Sequence, residues 1–189
     1  MEKFTCKDYI DKDYVDNLLK TAISIFDGEA PGSEGIELDE NVTQEDWDCG
    51  LKKVVANHTL VSVLIPMIPE NPNGMAIMVI PGSAYRRQVL SQEGVEVGKW
   101  LNSMGITAFV LRHRLPADLH NRRVDVPLID AQRAIRYIRY NADKYGICVD
   151  KVGVMGFSAA DIWHRCFQPV TTETFILMKL IINVMILIS

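Results

Sequence analysis

Two rhythms of apolar and polar residues run along this chain. Ile10, Tyr14, Leu18, Ala22 and Ile25 or Phe26 recur every three to four positions with acids and lysines between them, which predicts an amphipathic helix. Residues 27–35 follow, with Gly28, Gly32, Gly35 and Pro31 among them, so regular structure breaks and roughly 27–50 reads as loop. Alternation and β-branching over 59–65 predict a strand, and Pro66, Pro69 and the turn sequence Asn71-Pro72-Asn73-Gly74 end it. Residues 75–80 and 106–111 are continuous apolar runs, as expected of strands buried on both faces. Between them a helix is predicted from Ser91 as N-cap, with Val97, Trp100, Leu101 and Met104 on one side and Gly105 as its stop. A second helix opens near Asp125, with Pro127 in its first turn where the missing amide costs nothing. Leu128, Ala131, Ile135 and Ile138 line one of its faces, Arg133, Arg136 and Arg139 lie elsewhere, and Gly146 closes it before a third buried strand over 151–155. Strands alternating with helices of this length predict the α/β class: βαβ crossovers and a mostly parallel sheet with helices on both faces.

Composition narrows the partners. At 189 residues and 48% apolar content the chain is long and apolar enough for one globular core, and neither disorder nor a disulfide scaffold fits it. Acids and bases are interspersed at a net charge of −4, with no basic stripe, which argues against nucleic acid or an anionic membrane as a partner. Cys6, Cys49, Cys148 and Cys166 are scattered without a C-x-x-C pair, so no metal site is expected, and the thiols read as buried or incidental. No strand is followed by G-x-G-x-x-G or a Walker lysine, which sets aside a nucleotide-binding fold, and no cofactor is expected. The first residues lack the apolar run of a secretory signal, giving a cytoplasmic location by default. The apolar stretch 174–189 is shorter than the ~20 residues of a spanning helix and carries Lys179 and Asn183, which argues against a membrane anchor.

The third strand runs into Gly156-Phe157-Ser158-Ala159-Ala160, where small residues flank a serine on a strand-to-helix turn. A serine hydroxyl is a poor nucleophile. A sharp turn that lifts it clear of the sheet opens it to a base and to the field of a helix N-terminus. The plain alternative is a structural turn built from small residues, and the preceding order of strands and helices favours the nucleophile. Such a serine needs two backbone amides for an oxyanion. Ala159 is placed to supply one, and the loop Pro81-Gly82-Ser83-Ala84-Tyr85, directly after the 75–80 strand, is placed to supply the other.

These motifs together resemble the acetyl-xylan-esterase-like branch of the α/β hydrolases. That branch has an Asp-Gly-x-Ala-Pro-Gly segment, a Pro-Gly-Gly-Gly-Tyr oxyanion loop, a Glu-Gly helix, a Gly-Ile-x-Ala-Phe-Val-Leu strand and Gly-Phe-Ser-Ala-Gly-Gly-His-Leu-Ala at the elbow. Here stand Asp27-Gly28-Glu29-Ala30-Pro31-Gly32, Pro81-Gly82-Ser83-Ala84-Tyr85, Glu93-Gly94, Gly105-Ile106-Thr107-Ala108-Phe109-Val110-Leu111 and Gly156-Phe157-Ser158-Ala159, in that order. The resemblance implies an α/β-hydrolase fold, Ser158 as nucleophile, an oxyanion hole from Gly82, Ser83, Ala84 and Ala159, and a small ester or acetylated sugar as substrate. Ser83 and Ala84 replace two glycines of the loop, which crowds the acyl pocket or shifts an amide.

After Ala159 the chain departs from the pattern. Codons GGC GGA CAT TTG GCA TCG, for Gly-Gly-His-Leu-Ala-Ser, become GCG GAC ATT TGG CAT CG when one G is lost. That string encodes Ala160-Asp161-Ile162-Trp163-His164-Arg165 as it stands here. The expectation is a one-base deletion, and the Phe, Ile, Leu, Met, Lys and Asn of 174–189, all A/T-rich in codons, agree with it. The chain then divides into an N-terminal helix and loop (1–50), the N-terminal part of a hydrolase domain (51–160) and an aberrant apolar tail (161–189), a fold fragment incomplete at its C-terminus. In this fold the triad runs serine, acid, histidine, so both partners are expected after Ser158 and the chain as written is expected to be nearly inactive. Asp161 and His164 would be carried away along a helix starting at the elbow, and His113 and His120 read as structural. An open sheet edge would favour self-association. A second reading stays open: a non-catalytic α/β binding or interaction module with a structural serine turn.

Overall fold

The computed structural model describes residues 10–47, 50–82, 84–122 and 125–158. Ser83, Ala159, the turn into 160–165 and the expected aberrant tail lie outside the described residues, as do Cys6, Cys49 and Cys166; Cys148 is exposed. In chain order the elements are α1 (Lys12–Leu19), β1 (Ile23–Ser24), β2 (Asn41–Asp46), β3 (Lys52–Asn57), β4 (Val63–Met67), β5 (Ala76–Ile80), β6 (Arg87–Val89), α2 (Glu96–Ser103), β7 (Thr107–Arg112), α3 (Val126–Tyr140) and β8 (Val152–Gly156).

The apolar runs form the middle of the main sheet. Every residue of β5 is buried, and β5 lies between β7 and β8, parallel to both. The strand order is β1-β4-β7-β5-β8, with β4 antiparallel to β7 and β1 antiparallel to β4. The sheet is therefore mixed: β7, β5 and β8 form its parallel part, β4 runs the other way, and β1 at the edge is antiparallel to β4. A second, three-stranded antiparallel sheet, β2-β3-β6, stands beside it. β1 and β2 pair with β4 and β3, so segments from the first fifty residues are hydrogen-bonded into both sheets.

Helices cover both faces, because each crossover from one parallel strand to the next must return over the sheet. On one face α3 packs Ala131, Ala134, Ile135 and Ile138 onto Met78, Ile80, Phe109 and Val154. On the other, Val97 and Leu101 of α2 and Val15 of α1 meet Ile77, Val79, Ala108 and Val110. Tyr145 closes the first core with an edge-to-face contact on Phe109, ring centroids 5.1 Å apart.

Several elements differ from expectation. The first helix ends at Leu19, N-capped by the Asp11 side chain, and Ile25 is a core residue past β1. β2 occupies part of the expected loop; its Asn-Val-Thr-Gln-Glu-Asp sequence is polar because most of the strand is exposed or half-exposed. The strand expected at 59–65 starts at Val63 and runs through Pro66, which is tolerated because β1 reaches only Val63 and Leu64 on that side. Ser91 does not cap α2. It lies inside a π-helical turn (Ser91–Val95) that opens the helix, and its Oγ accepts the Val54 N–H at 2.9 Å. The buried face of α3 runs through Val126, Pro127, Asp130, Ala131, Ala134, Ile135 and Ile138, with Leu128 only half-buried. Gly146 ends a short 3-10 turn after the helix, at φ 64°, rather than α3 itself.

Candidate active site

Parallel strands deliver their C-terminal ends to one rim of a sheet, and β5 and β8 do so side by side. Phe157, the residue after β8, donates its N–H to the Ile80 carbonyl at 3.1 Å and so keeps the two strand ends in step. The chain then turns through Ser158, which is exposed and has φ 53°. For a non-glycine residue that left-handed conformation costs about 1 kcal/mol or more, and it is the geometry of a serine lifted on a sharp turn.

The loop after β5 meets this turn from below. Gly82 is buried and packed so tightly that a Cβ on it would lie 2.9 Å from Ser158 Cβ and 3.0 Å from the Phe157 carbonyl carbon, pressing on that carbonyl's oxygen. Only glycine allows the loop and the serine turn to touch. Ala84 and Tyr85 then take φ 54° and 60°, a left-handed pair in the place where the resemblance leads one to expect glycine and tyrosine.

Four bonds hold the base of the loop. The buried His113 ring engages the Pro81 carbonyl, and its Nδ1 lies 2.8 Å from the Arg114 carbonyl oxygen. Burial pushes this imidazole below the usual histidine range, against the pull of both carbonyls and of Asp130. Gly82 accepts the Val89 N–H at 3.2 Å and donates its own N–H to Glu93 Oε2 at 2.7 Å. Gln88, fully buried, braces His113: it accepts the His113 N–H at 3.2 Å and donates its amide to the His113 carbonyl.

This geometry revises one expected donor. The Gly82 N–H is committed to Glu93, so Gly82 contributes close approach to the serine turn and not a free amide. Ser83 and Ala159 lie outside the described residues; Ala84 is exposed.

A second polar group was missed from the sequence. Where β7 ends, Arg114 is fully buried and forks onto Asp130 of α3, also fully buried, with Nη2 to Oδ1 at 2.6 Å and Nε to both oxygens at 3.1 Å. Arg114 Nη1 also donates to the Pro31 carbonyl and to Ser33 Oγ, both at 2.8 Å, while its guanidinium stacks 5.4 Å from the Phe26 ring centre. Ser33 Oγ meets His120 Nδ1 at 2.9 Å, and the Ser62 hydroxyl donates to Asp130. Nearby, Asp118 accepts the Thr59 N–H at 2.7 Å and pairs with His58. These contacts dock the Asp27-to-Gly32 segment against the start of β4 and the end of β7. Asp130 carried the available signal: it is an acid on the stripe with Ala131, Ala134 and Ile138, and a charge on a buried helix face requires a partner. A cavity of about 260 Å³ beside Ser24, Phe26, Glu29 and Ser62 belongs to this far edge and not to Ser158. Among the described residues no group of three or more His, Cys, Asp or Glu side chains is arranged to hold a metal, and no helix is long and apolar enough to cross a membrane.

Residues 63–161, just over half the chain and including the β5 loop and the serine turn, match the BD-FAE family model. The chain belongs to the BD-FAE family. Its curated relatives include an acetylxylan esterase of Xylanibacter ruminicola, 38% identical over 96 residues that cover 51% of this chain and 19% of that protein. Another is endo-1,4-beta-xylanase B of Butyrivibrio fibrisolvens, 38% identical over 90 residues, 48% of this chain and 14% of that one. Among solved structures, the acetyl ester-xyloside bifunctional hydrolase of Caldicellulosiruptor lactoaceticus superposes with a TM-score of 0.53 at 31% identity, over 74% of this chain and 43% of that one. A propionate-bound esterase of Thermogutta terrifontis, at 20% identity and a TM-score of 0.51, shares the fold over 75% of this chain and 47% of its own. This BD-FAE chain carries part of an α/β-hydrolase fold. It spans a fifth or less of the curated relatives' length and less than half of each of these two structures.

Proposed function

We propose that this chain carries the nucleophile and oxyanion loop of a carboxylic ester hydrolase for short acyl esters, acetyl groups on sugars among them. The observation that carries the reading is Ser158 at left-handed φ on the end of β8, with Gly82 packed against its Cβ. Ser158 Oγ attacks the ester carbonyl carbon, the oxygen's developing charge is met by the amides of Ser83 or Ala84 and of Ala159, and the alcohol leaves to give an acyl-enzyme that water then hydrolyses. The relatives named for acetylxylan ester and xyloside hydrolysis support an acetylated sugar as substrate. A structural turn in a non-catalytic module would be better served by glycine, which adopts positive φ without strain.

The base and acid of such a mechanism follow the serine in chain order, beyond the described residues. We propose on the codon relation at residues 160–165 that they are encoded one base out of the present frame. Sequencing the gene across these codons tests that directly: an extra base supports it, and a confirmed frame with no acid and histidine in the alternative one overturns it.

The esterase reading is tested by hydrolysis of p-nitrophenyl acetate and of acetylated xylo-oligosaccharides by the full chain, beside Ser158→Ala. Weak Ser158-dependent turnover is expected in the present frame, rising by orders of magnitude when the nucleotide proposed as deleted is restored. Equal rates with and without the Ser158 hydroxyl in both frames would overturn the reading.

A further inference from the structure

The geometry points to Glu93 as a positioning residue for the oxyanion loop, an inference that rests on the reading of Ser158 as nucleophile and deepens it. Glu93 lies in the π-helical turn that opens α2, and its Oε2 accepts the Gly82 N–H at 2.7 Å. The next residue makes this reach possible. A Cβ on Gly94 would lie 2.9 Å from Val110 Cγ1 and 3.3 Å from Pro81 Cγ, so only glycine lets the turn settle onto β7 and against the root of the loop. Glu93 thus takes hold of Gly82, against which the Phe157 carbonyl and Ser158 Cβ are packed.

The clamp has a chemical consequence. With its N–H bonded to Glu93 and its carbonyl to Val89, Gly82 fixes the root of the loop that leads to Ala84, and hence where the Ala84 amide falls relative to Ser158. Oxyanion donors act only when they are held close to the oxygen's final position, and losing or displacing one costs roughly 100-fold in rate. A carboxylate suits this task because a hydrogen bond to a charged acceptor is stronger than one to a neutral oxygen. Half-burial of Glu93 raises its carboxyl above the ordinary range while the Gly82 N–H pulls it down, as expected for a group held for its bond and not for exposure to solvent.

The test uses Glu93→Ala, Glu93→Gln and Ser158→Ala and two readouts: amide hydrogen exchange at Gly82 in the full chain, and kcat and KM for p-nitrophenyl acetate in the present frame and in the frame restored at residues 160–165. Glu93→Ala is expected to speed Gly82 exchange about tenfold or more and to lower kcat about 10- to 100-fold with KM within about twofold. Glu93→Gln retains an acceptor oxygen and is expected to restore both to within about threefold. Should the alanine variant not fold, Glu93→Asp keeps the charge, withdraws the acceptor by one methylene, and is expected to show the alanine pattern. Unchanged Gly82 exchange, or faster exchange with unchanged kcat, overturns the inference while leaving Ser158 in place. Rates no faster than those of Ser158→Ala in both the present and the restored frame instead overturn the hydrolase reading, and this inference with it.

Discussion

The serine turn and the Arg114 cluster lie at the same rim of one sheet and are built in opposite ways. At the turn, three non-glycine residues, Ser158, Ala84 and Tyr85, are held at positive φ, and the bonds beneath them fix backbone. At the cluster, Arg114 and Asp130 are fully buried charges whose oxygens and nitrogens are met by side chains and carbonyls on all sides. The turn is shaped by backbone conformation and the cluster by paired buried charge, although His58 and Leu119 beside the cluster also take positive φ, 49° and 61°. Polar residues near a site are therefore poor guides to chemistry by themselves.

Breaking the cluster should have the largest effect on stability. Asp130→Ala leaves the Arg114 guanidinium buried without its counter-charge and is expected to cost about 3–5 kcal/mol, read as a lower denaturant midpoint. Gly82→Ala attacks the other region. Its Cβ collides with the Phe157 carbonyl, so a cost of about 1–3 kcal/mol is expected together with a fall of roughly 100-fold in Ser158-dependent hydrolysis. The pair sharpens the comparison: the first variant should lose stability far more than rate per folded molecule, and the second the reverse. Ala84→Gly relaxes one left-handed residue and is expected to stabilise by about 0.5–1 kcal/mol, seen as a melting point higher by a few degrees.

The smallest effect concerns pH. Burial raises Glu96 of α2 above its ordinary 4.5, with Lys99 opposing, so folding favours its protonated form. Its contribution to stability is present in full below the unfolded value and is lost as pH rises through the raised folded one. In denaturant titrations from pH 4.5 upward, Glu96→Gln should decline less steeply than the wild type.

The parts legible in the sequence were those whose pattern follows from burial. β5, β7 and β8 announced themselves as apolar runs because both their faces are covered, and Gly105 as a stop because it takes φ 74°. β2 and β3 were not legible. β2 is too polar to show a buried face, and Val54 to Ala56 of β3 adjoin lysines and an asparagine in a strand of only six residues. At the site, the serine and the loop opposite were readable because small residues leave a motif. The Gly82-to-Glu93 bond was not, since its partners lie eleven positions apart and only the fold brings them together. The Arg114 cluster joins residues from four segments, and of these only Asp130 stood out of place on its helix.

The central place of β5 also sets an order of events in time. Ala76 is matched to Thr107 on one side and to Val152 on the other, a loop more than twice as long. Closing the longer loop costs about 0.8 kcal/mol more entropy, so the β5-β7 pair is expected to nucleate and β8 to dock onto it. Strain incurred after the rate-limiting barrier does not slow folding; it quickens unfolding. The twisted residue at the tip of β8 thus acts on a strand expected to dock late, and the strand that carries Ser158 is expected to open early.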